Sequence, residues 1–297
     1  MRIGVIVPTA GELPKRLGLC QMAQTAEAAG AESLCVSDHL LMVDRTTTDY
    51  PYSADGRPTW NKREDYYEAF TCCSFMAAVT QTCRVGTAVL VLPQRNVLEV
   101  AKVAASLDQL SGGRLYLGVA VGWYKDEIEA LGYDYRHRGA RFDEMLQVLR
   151  DCWSGSPAAF TGRHVSIPPD VVLRPLPGQP SGPPLLVGGM TDVALRHAAR
   201  HGDGWLALGF AQSLQLDVMR ERLATVQEMR RELGGPELST MLKLHASADQ
   251  ADALPELALE INGLGFDEIA VEPPWERGLD AAGETIASIR AALNRCG

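Results

Sequence analysis

"VGTAVLVLPQRNVLEVAKVAASLDQLSGGRLYLGVAVGW" (Val85 to Trp123) reads as strand, helix, strand. Val85–Leu92 is an apolar run of strand type, closed by Pro93. In "EVAKVAASLDQL", Val100, Val103, Ala104 and Leu107 fall on one helical stripe, with Lys102 and Asp108 off it. Ser111-Gly112-Gly113 stops the helix, and Leu115–Val119 opens the next strand. Two strands joined through a helix run parallel, because the chain must return to its starting edge before pairing again.

The same punctuation continues in both directions. Strand-like runs stand at Ile3–Val7, Leu34–Val36, Leu185–Val187, Trp205–Leu208, Met241–Leu244 and Glu268–Val271. Between them lie helix-period stretches such as "RFDEMLQVLRDCW", which aligns Phe142, Met145, Leu146, Leu149 and Trp153. Eight strands alternating with eight helical regions predict an α/β fold, a closed (β/α)8 TIM barrel with insertions rather than a doubly wound sheet. No linker or composition shift divides residues 1–297, so a single domain is expected. Leu40–Asp65, with "TTTDYPYSADGRPTW", follows the second strand and should lie over the C-terminal face as a wall or lid. Ser154–Pro184, rich in Gly and Pro, should form a structural flank, with room for a small hairpin.

Composition narrows the partners. A formal net charge of −9 leaves no dominant basic face for nucleic acid or anionic membrane. No apolar run approaches the ~20 residues of a membrane span. "MRIGVIVP" enters a strand directly, without a leader, and the 7 cysteines lack zinc-ligand spacing. Reduced thiols in a cytoplasmic setting are therefore the expectation. Cys72 and Cys73, adjacent on a helix, read as buried filler.

Several blocks, in order, resemble the bacterial luciferase-like flavin/deazaflavin superfamily. They are "SDHLL", "LDQLSGGR" followed by a strand and "GVAVGW", "RGARFDEMLQVLRDCW" and "PPLLVGGMTDVALRHAARHGDGWL". "YPYSADGR" is similar to an insertion of a coenzyme F-420-dependent branch. The likeness spans nearly the whole chain and is weakest from Ala211 onward. It implies a barrel with insertions that binds coenzyme F-420, or alternatively reduced FMN, at the C-terminal mouth. A small-molecule substrate and a homodimer or higher homo-oligomer are implied as well.

Candidate site residues follow from residues and resemblance together. Gly188, Gly189, Met190 and Thr191 join a strand to a helix, where close backbone approach and free amides suit a cofactor phosphate. An ordinary turn with Thr191 as N-cap explains the same pattern, and Asp192 works against an anion. The resemblance places a non-proline cis peptide at Ala88–Val89, forming a bulge that presses on the flavin ring. Gly122 permits a tight turn, and Trp123 offers either a flat wall to a ring system or a core anchor. Asp126 and Glu127 suit the helix dipole with no function required. Arg114 reads as structural, while Arg95 is either a contact for an anionic cofactor tail or a solvated charge. His197 and His201 stand at i, i+4 without a third ligand, so no metal site is expected. Neither GxSxG nor GxGxxG occurs, which argues against a nucleophilic triad and tight NAD(P) binding.

"ESLCVSDHLL" (Glu32–Leu41) ends a core strand in an acid–imidazole pair. A deazaflavin moves hydride in two-electron steps, so the protein must supply or accept a proton. His39 is the candidate for that proton and Asp38 for setting its orientation, against the alternative of a capped strand end. The expected function is thus an F-420-dependent oxidoreductase. The alternatives are a reduced-FMN two-component monooxygenase and a non-catalytic flavin-binding protein. Ala120 occupies the strand-four position where luciferases carry a reactive cysteine.

Overall fold

Eight parallel strands close on themselves in the computed structural model, which describes residues 1–53, 56–57 and 61–295. Part of the expected lid (54, 55 and 58–60) and Cys296 lie outside the described residues. The strands are β1 (Arg2–Ile6), β2 (Ser33–Val36), β3 (Arg84–Val91), β4 (Leu115–Ala120), β5 (Phe160–Thr161), β6 (Ser166–Ile167), β7 (Leu185–Gly188), β8 (Gly204–Phe210), β9 (Ser239–His245) and β10 (Glu268–Val271). Around the barrel the order is β1-β10-β9-β8-β7-β4-β3-β2, with β2 paired back to β1. Strands β5 and β6 form a separate antiparallel hairpin inside the 154–184 flank.

The α-helices are α1 (Leu19–Ala28), α2 (Ala69–Val79), α3 (Val97–Leu110), α4 (Lys125–Ala130), α5 (Arg138–Cys152), α6 (Asp192–His201), α7 (Leu216–Glu232), α8 (Leu254–Asn262) and α9 (Leu279–Asn294). Side-chain caps start α3 and α2. Asn96 caps α3 by accepting from the Leu98 and Glu99 amides, and Glu68 caps α2 through the Thr71 amide. The apolar stripes of α3 and α5 face the outside of the barrel and make the larger core with the outward strand residues. A second, smaller core fills the barrel: Ile6, Cys35, Ala88, Tyr116, Leu186, Leu206, Met241 and Ala270.

Two expectations need correction. Asp108 does not stand off the buried stripe into solvent: it is fully buried. Its carboxylate accepts from the Gln179 backbone and side-chain amides, at 2.9 and 2.8 Å, and so ties the flank to α3. Strands β8 and β9 also run further than their apolar runs, to Phe210 and His245. Their last residues turn into the barrel mouth, where burial is incomplete and polar side chains are tolerated.

The long loop after β2 lies on the side that its position predicts. It leaves β2 at Ser37 and returns beside the end of β1, where Ala10 bridges Tyr66 and the Tyr67 amide donates to Thr9 O at 2.8 Å. Six described cysteines are free thiols, and Cys72 and Cys73 are both buried. Among the described residues no helix is long and apolar enough to cross a membrane.

Candidate active site

The end of β2 splits its two polar residues between two neighbours. Asp38 turns toward β3, where its carboxylate accepts from the Val91 amide at 2.9 Å and from Arg95 Nη2 at 2.7 Å. Arg95 continues to Glu68 at 3.0 Å, and its guanidinium lies over the Phe70 ring. Burial pushes the Asp38 carboxyl up, with Arg95 and the Val91 amide pulling the other way. Arg95 is therefore not a solvated charge, its guanidinium being held by two carboxylates. It pins the ends of β2, β3 and α2 together.

His39 turns the other way. Its Nδ1 lies 2.8 Å from Glu127 Oε2, and both side chains are buried. Glu127 also accepts from the Leu40 amide at 2.5 Å, the Leu41 amide at 3.3 Å and Gln94 Nε2 at 3.3 Å. One carboxylate in the first turn of α4 thus fixes the imidazole and the backbone behind it. A ring that donates Nδ1–H to a carboxylate carries its acceptor lone pair on Nε2. Tyr66, Trp123 and Tyr124 approach the ring edge-on, at centroid separations of 5.3, 6.0 and 6.1 Å.

Trp123 and Tyr124 stack at 4.9 Å, and the loop over the mouth is strapped to this corner. The Tyr124 hydroxyl accepts from the Val43 amide at 2.8 Å. Asp126 accepts from the hydroxyls of Thr46, Thr47 and Thr48 at 2.7, 3.0 and 2.6 Å, and from the Thr47 amide. Burial works to raise the Asp126 carboxyl, but the three threonine hydroxyls hold it well below its ordinary range. Gly122 makes the turn that brings this corner in: its φ is +78°, and a Cβ there would meet Val91 Cγ1 at 2.4 Å.

Across the mouth, the Ala88–Val89 peptide is cis, and the pairing of β3 with β4 shifts register between Thr87 and Leu90. Ala88 O accepts from Lys243 Nζ at 2.5 Å, and the same ammonium reaches Ser37 Oγ at 2.8 Å. Lys243 sits on β9 and is buried, so one side chain crosses the barrel to the ends of β3 and β2. At the adjoining corner Gly188 faces Val89: a Cβ on it would meet Val89 Cγ1 at 2.7 Å.

Thr191 caps α6, its hydroxyl accepting from the Ala194 amide at 3.3 Å, as the ordinary-turn reading expects. Gly189 has φ +133°, a conformation side chains avoid. Asp192 pairs with Arg222, which offsets the charge that counted against an anion at this turn. The glycine pair, where a Cβ would clash, and the Gly122–Trp123 corner are the parts of the mouth open to close approach of a flat group with an anionic tail. Met190 packs against the outer core. His197 Nδ1 lies 2.6 Å from Asp143 and His201 Nε2 3.6 Å from the same carboxylate, between α5 and α6. Arg114 bonds the Ala77 and Cys83 carbonyls, a structural part as expected.

Sequence reasoning missed Glu127, Tyr66, Lys243, and a pair formed by His245 and Glu272. Glu127 was legible only as a helix-dipole residue, since nothing local reveals that a short helix will bury its first turn against another strand's end. Lys243, inside the apolar run "TMLKLHA", is the one visible signal: a lysine within a core strand needs a partner.

Comparison with known proteins bears on the site once its geometry is in place. Residues 1–294 match the family described as luciferase-like monooxygenase. An uncharacterized protein of Mycobacterium tuberculosis is 36% identical over 213 residues, covering 72% of this chain and 71% of its own. An F420-dependent glucose-6-phosphate dehydrogenase of Tsukamurella paurometabola is 30% identical over 251 residues, covering 82% of this chain and 67% of its own. The fold is shared with an F420-dependent secondary alcohol dehydrogenase solved with an F420-acetone adduct. That match has a TM-score of 0.77 at 17% identity, over 97% of this chain and 99% of that one.

Proposed function

The chain belongs to the luciferase-like monooxygenase family, and from that premise we propose that it is a coenzyme F-420-dependent oxidoreductase. It transfers a hydride between the deazaflavin and a small organic substrate at the C-terminal mouth of the barrel. The observation that carries this reading is His39 at the end of β2, oriented by buried Glu127. A relative named for F420-dependent dehydrogenation supports the choice of cofactor.

A bound 5-deazaflavin supplies a two-electron hydride carrier whose reactive ring position is carbon. Gly188, Gly189, Met190 and Thr191 would hold its anionic tail, and Ala88, Val89, Gly122 and Trp123 its ring system. His39 takes up or gives the proton that accompanies hydride movement, its tautomer set by Glu127. Asp38 acts from behind, holding the strand end in place through Arg95 and the Val91 amide. The aromatic rings around His39 and the strapped loop exclude water from that proton.

A second reading, a reduced-FMN monooxygenase using oxygen, is favoured by the family's own description. Titration of the purified protein with F-420 and FMN, separately and in both redox states, tests the two. The first reading requires F-420 to bind more tightly, and tighter binding of reduced FMN would replace it with the second. In single turnover, His39→Ala should slow cofactor oxidation by substrate ~10²–10⁴-fold with cofactor affinity nearly intact. Equal rates would leave His39 a structural residue.

A further inference from the structure

The mouth carries a second histidine–carboxylate pair that the reading above does not use. His245 ends β9, and its Nδ1 lies 2.6 Å from Glu272 Oε2, just beyond β10. Both side chains are about 30% exposed, so the pair borders open space while staying fixed. Phe210, at the end of β8, stacks on the imidazole with ring centroids 5.5 Å apart and a 21° tilt. Tyr52 of the lid packs on Phe210 in turn, and Tyr50 joins Tyr52 to Trp123 beside His39. An aromatic rim thus runs from one histidine to the other.

Lys243 stands two residues before His245 on the same inward face of β9. Through Ser37 it connects the β9 wall to the end of β2, so both pairs border one mouth. The charged groups facing His245 are Glu272 and Lys243. Burial and the Lys243 charge push the imidazole below its ordinary value, and Glu272 pulls the other way. A neutral ring donating Nδ1–H to Glu272 presents its Nε2 lone pair as a base.

We propose that His245, oriented by Glu272, is a second acid–base residue and takes the substrate's oxygen-bound proton. The substrate class is accordingly a neutral alcohol or its carbonyl partner on an apolar or flat body, received against the rim formed by Phe210 and Tyr52. In the oxidative direction the C–H bond breaks with its pair leaving as hydride to the bound deazaflavin. The O–H bond breaks with its proton going to His245 Nε2, and the freed pair forms C=O. His39 then serves the second proton of the exchange, so each pair handles one. This division rests on the hydride-transfer reading, and its test is arranged so that the two can fail separately.

The first measurement needs no cofactor. The imidazole ¹³Cε1 resonance of His245, assigned by its loss in His245→Gln, should titrate below the ordinary ~6.5 of histidine. Lys243→Met should raise that midpoint and Glu272→Gln should lower it. A midpoint at or above the ordinary value, unmoved in both variants, would overturn the assignment. The second measurement is reduction of F-420 by a panel of secondary alcohols, followed over pH in single turnover. Wild type should lose rate as pH falls through the His245 midpoint, and His245→Gln should be ~10²–10⁴-fold slower without that limb. Cofactor affinity should be unchanged in the variant. Turnover by wild type with an equal rate and pH profile in His245→Gln sinks this proposal and spares the function. Wild type that binds F-420 but turns over no alcohol sinks this proposal and spares the function, and failure to bind F-420 sinks both.

Discussion

Glu127 holds an imidazole, two backbone amides and a glutamine side chain with one carboxylate. Its removal therefore has two separable costs. Glu127→Ala leaves buried donors without acceptors and should lower folding stability by about 3 kcal/mol, read by urea denaturation. Glu127→Gln keeps an oxygen for the amides but loses the charge that sets the His39 tautomer. It should fold near normally and turn over more slowly, with cofactor affinity kept. A Glu127→Gln variant with unchanged turnover would show that the carboxylate serves the backbone alone. The sequence carries His39 plainly, because a polar pair ending an apolar strand is visible in one dimension. Its partner lies 88 residues away, and the pairing exists only once β2 and α4 meet. His245 was hidden for a related reason. Alternation along a strand says which residues share a face, but not which of those faces reaches the mouth.

At the level of elements, two connections are each held by one acidic or glycine residue. Gly189 joins β7 to α6, and a Cβ there would meet Ala194 Cβ at 2.6 Å. Gly189→Asp therefore combines strain with charge, and Gly189→Ala is its control. Binding of cofactor, measured by fluorescence on folded protein, should fall in both and clearly further in Gly189→Asp if the cofactor phosphate lies here. Equal losses would leave only strain. The lid's attachment depends on Asp126, whose carboxyl is lower in the folded state than its ordinary 3.8. A depressed carboxyl contributes fully above the unfolded value and loses that contribution as pH falls toward the folded one. Amide exchange at Thr47 should accordingly be slow near neutrality and accelerate only below the ordinary carboxylate range. Asp126→Asn should show the faster exchange already at neutral pH. The turns themselves were readable: Asn96 and Thr191 cap helices where their residue types suggest. The three threonines meeting Asp126 were not, since hydroxyl runs look like any polar loop.

Across the whole molecule, the two ends of the barrel do different work. At the N-terminal end Glu268 accepts from Ser33 and pairs with Arg84 and, at 3.3 Å, with Arg2. Glu268 is buried but its arginines are partly exposed, so Glu268→Ala strands no buried charge and should destabilise the protein by about 1–3 kcal/mol in urea. Turnover per folded molecule should stay normal, because barrels place chemistry at the opposite face. A Glu268→Ala protein of normal stability and impaired turnover would contradict that separation. The barrel was legible as a whole because its evidence is periodic: alternating runs repeat eight times, and errors of a residue or two at each boundary do not change the topology. Nothing periodic marks the mouth, which is assembled from single residues at eight strand ends. The strap over it has one more consequence. Leu40, Leu41, Val43 and Thr46–Thr48 are tied to the barrel through Tyr124, Asp126 and Glu127, within one short stretch of chain. For anyone transplanting this loop, loop and stretch form one cassette. A graft that carries both should keep its shape in a related barrel, and one that carries the loop alone arrives without its moorings.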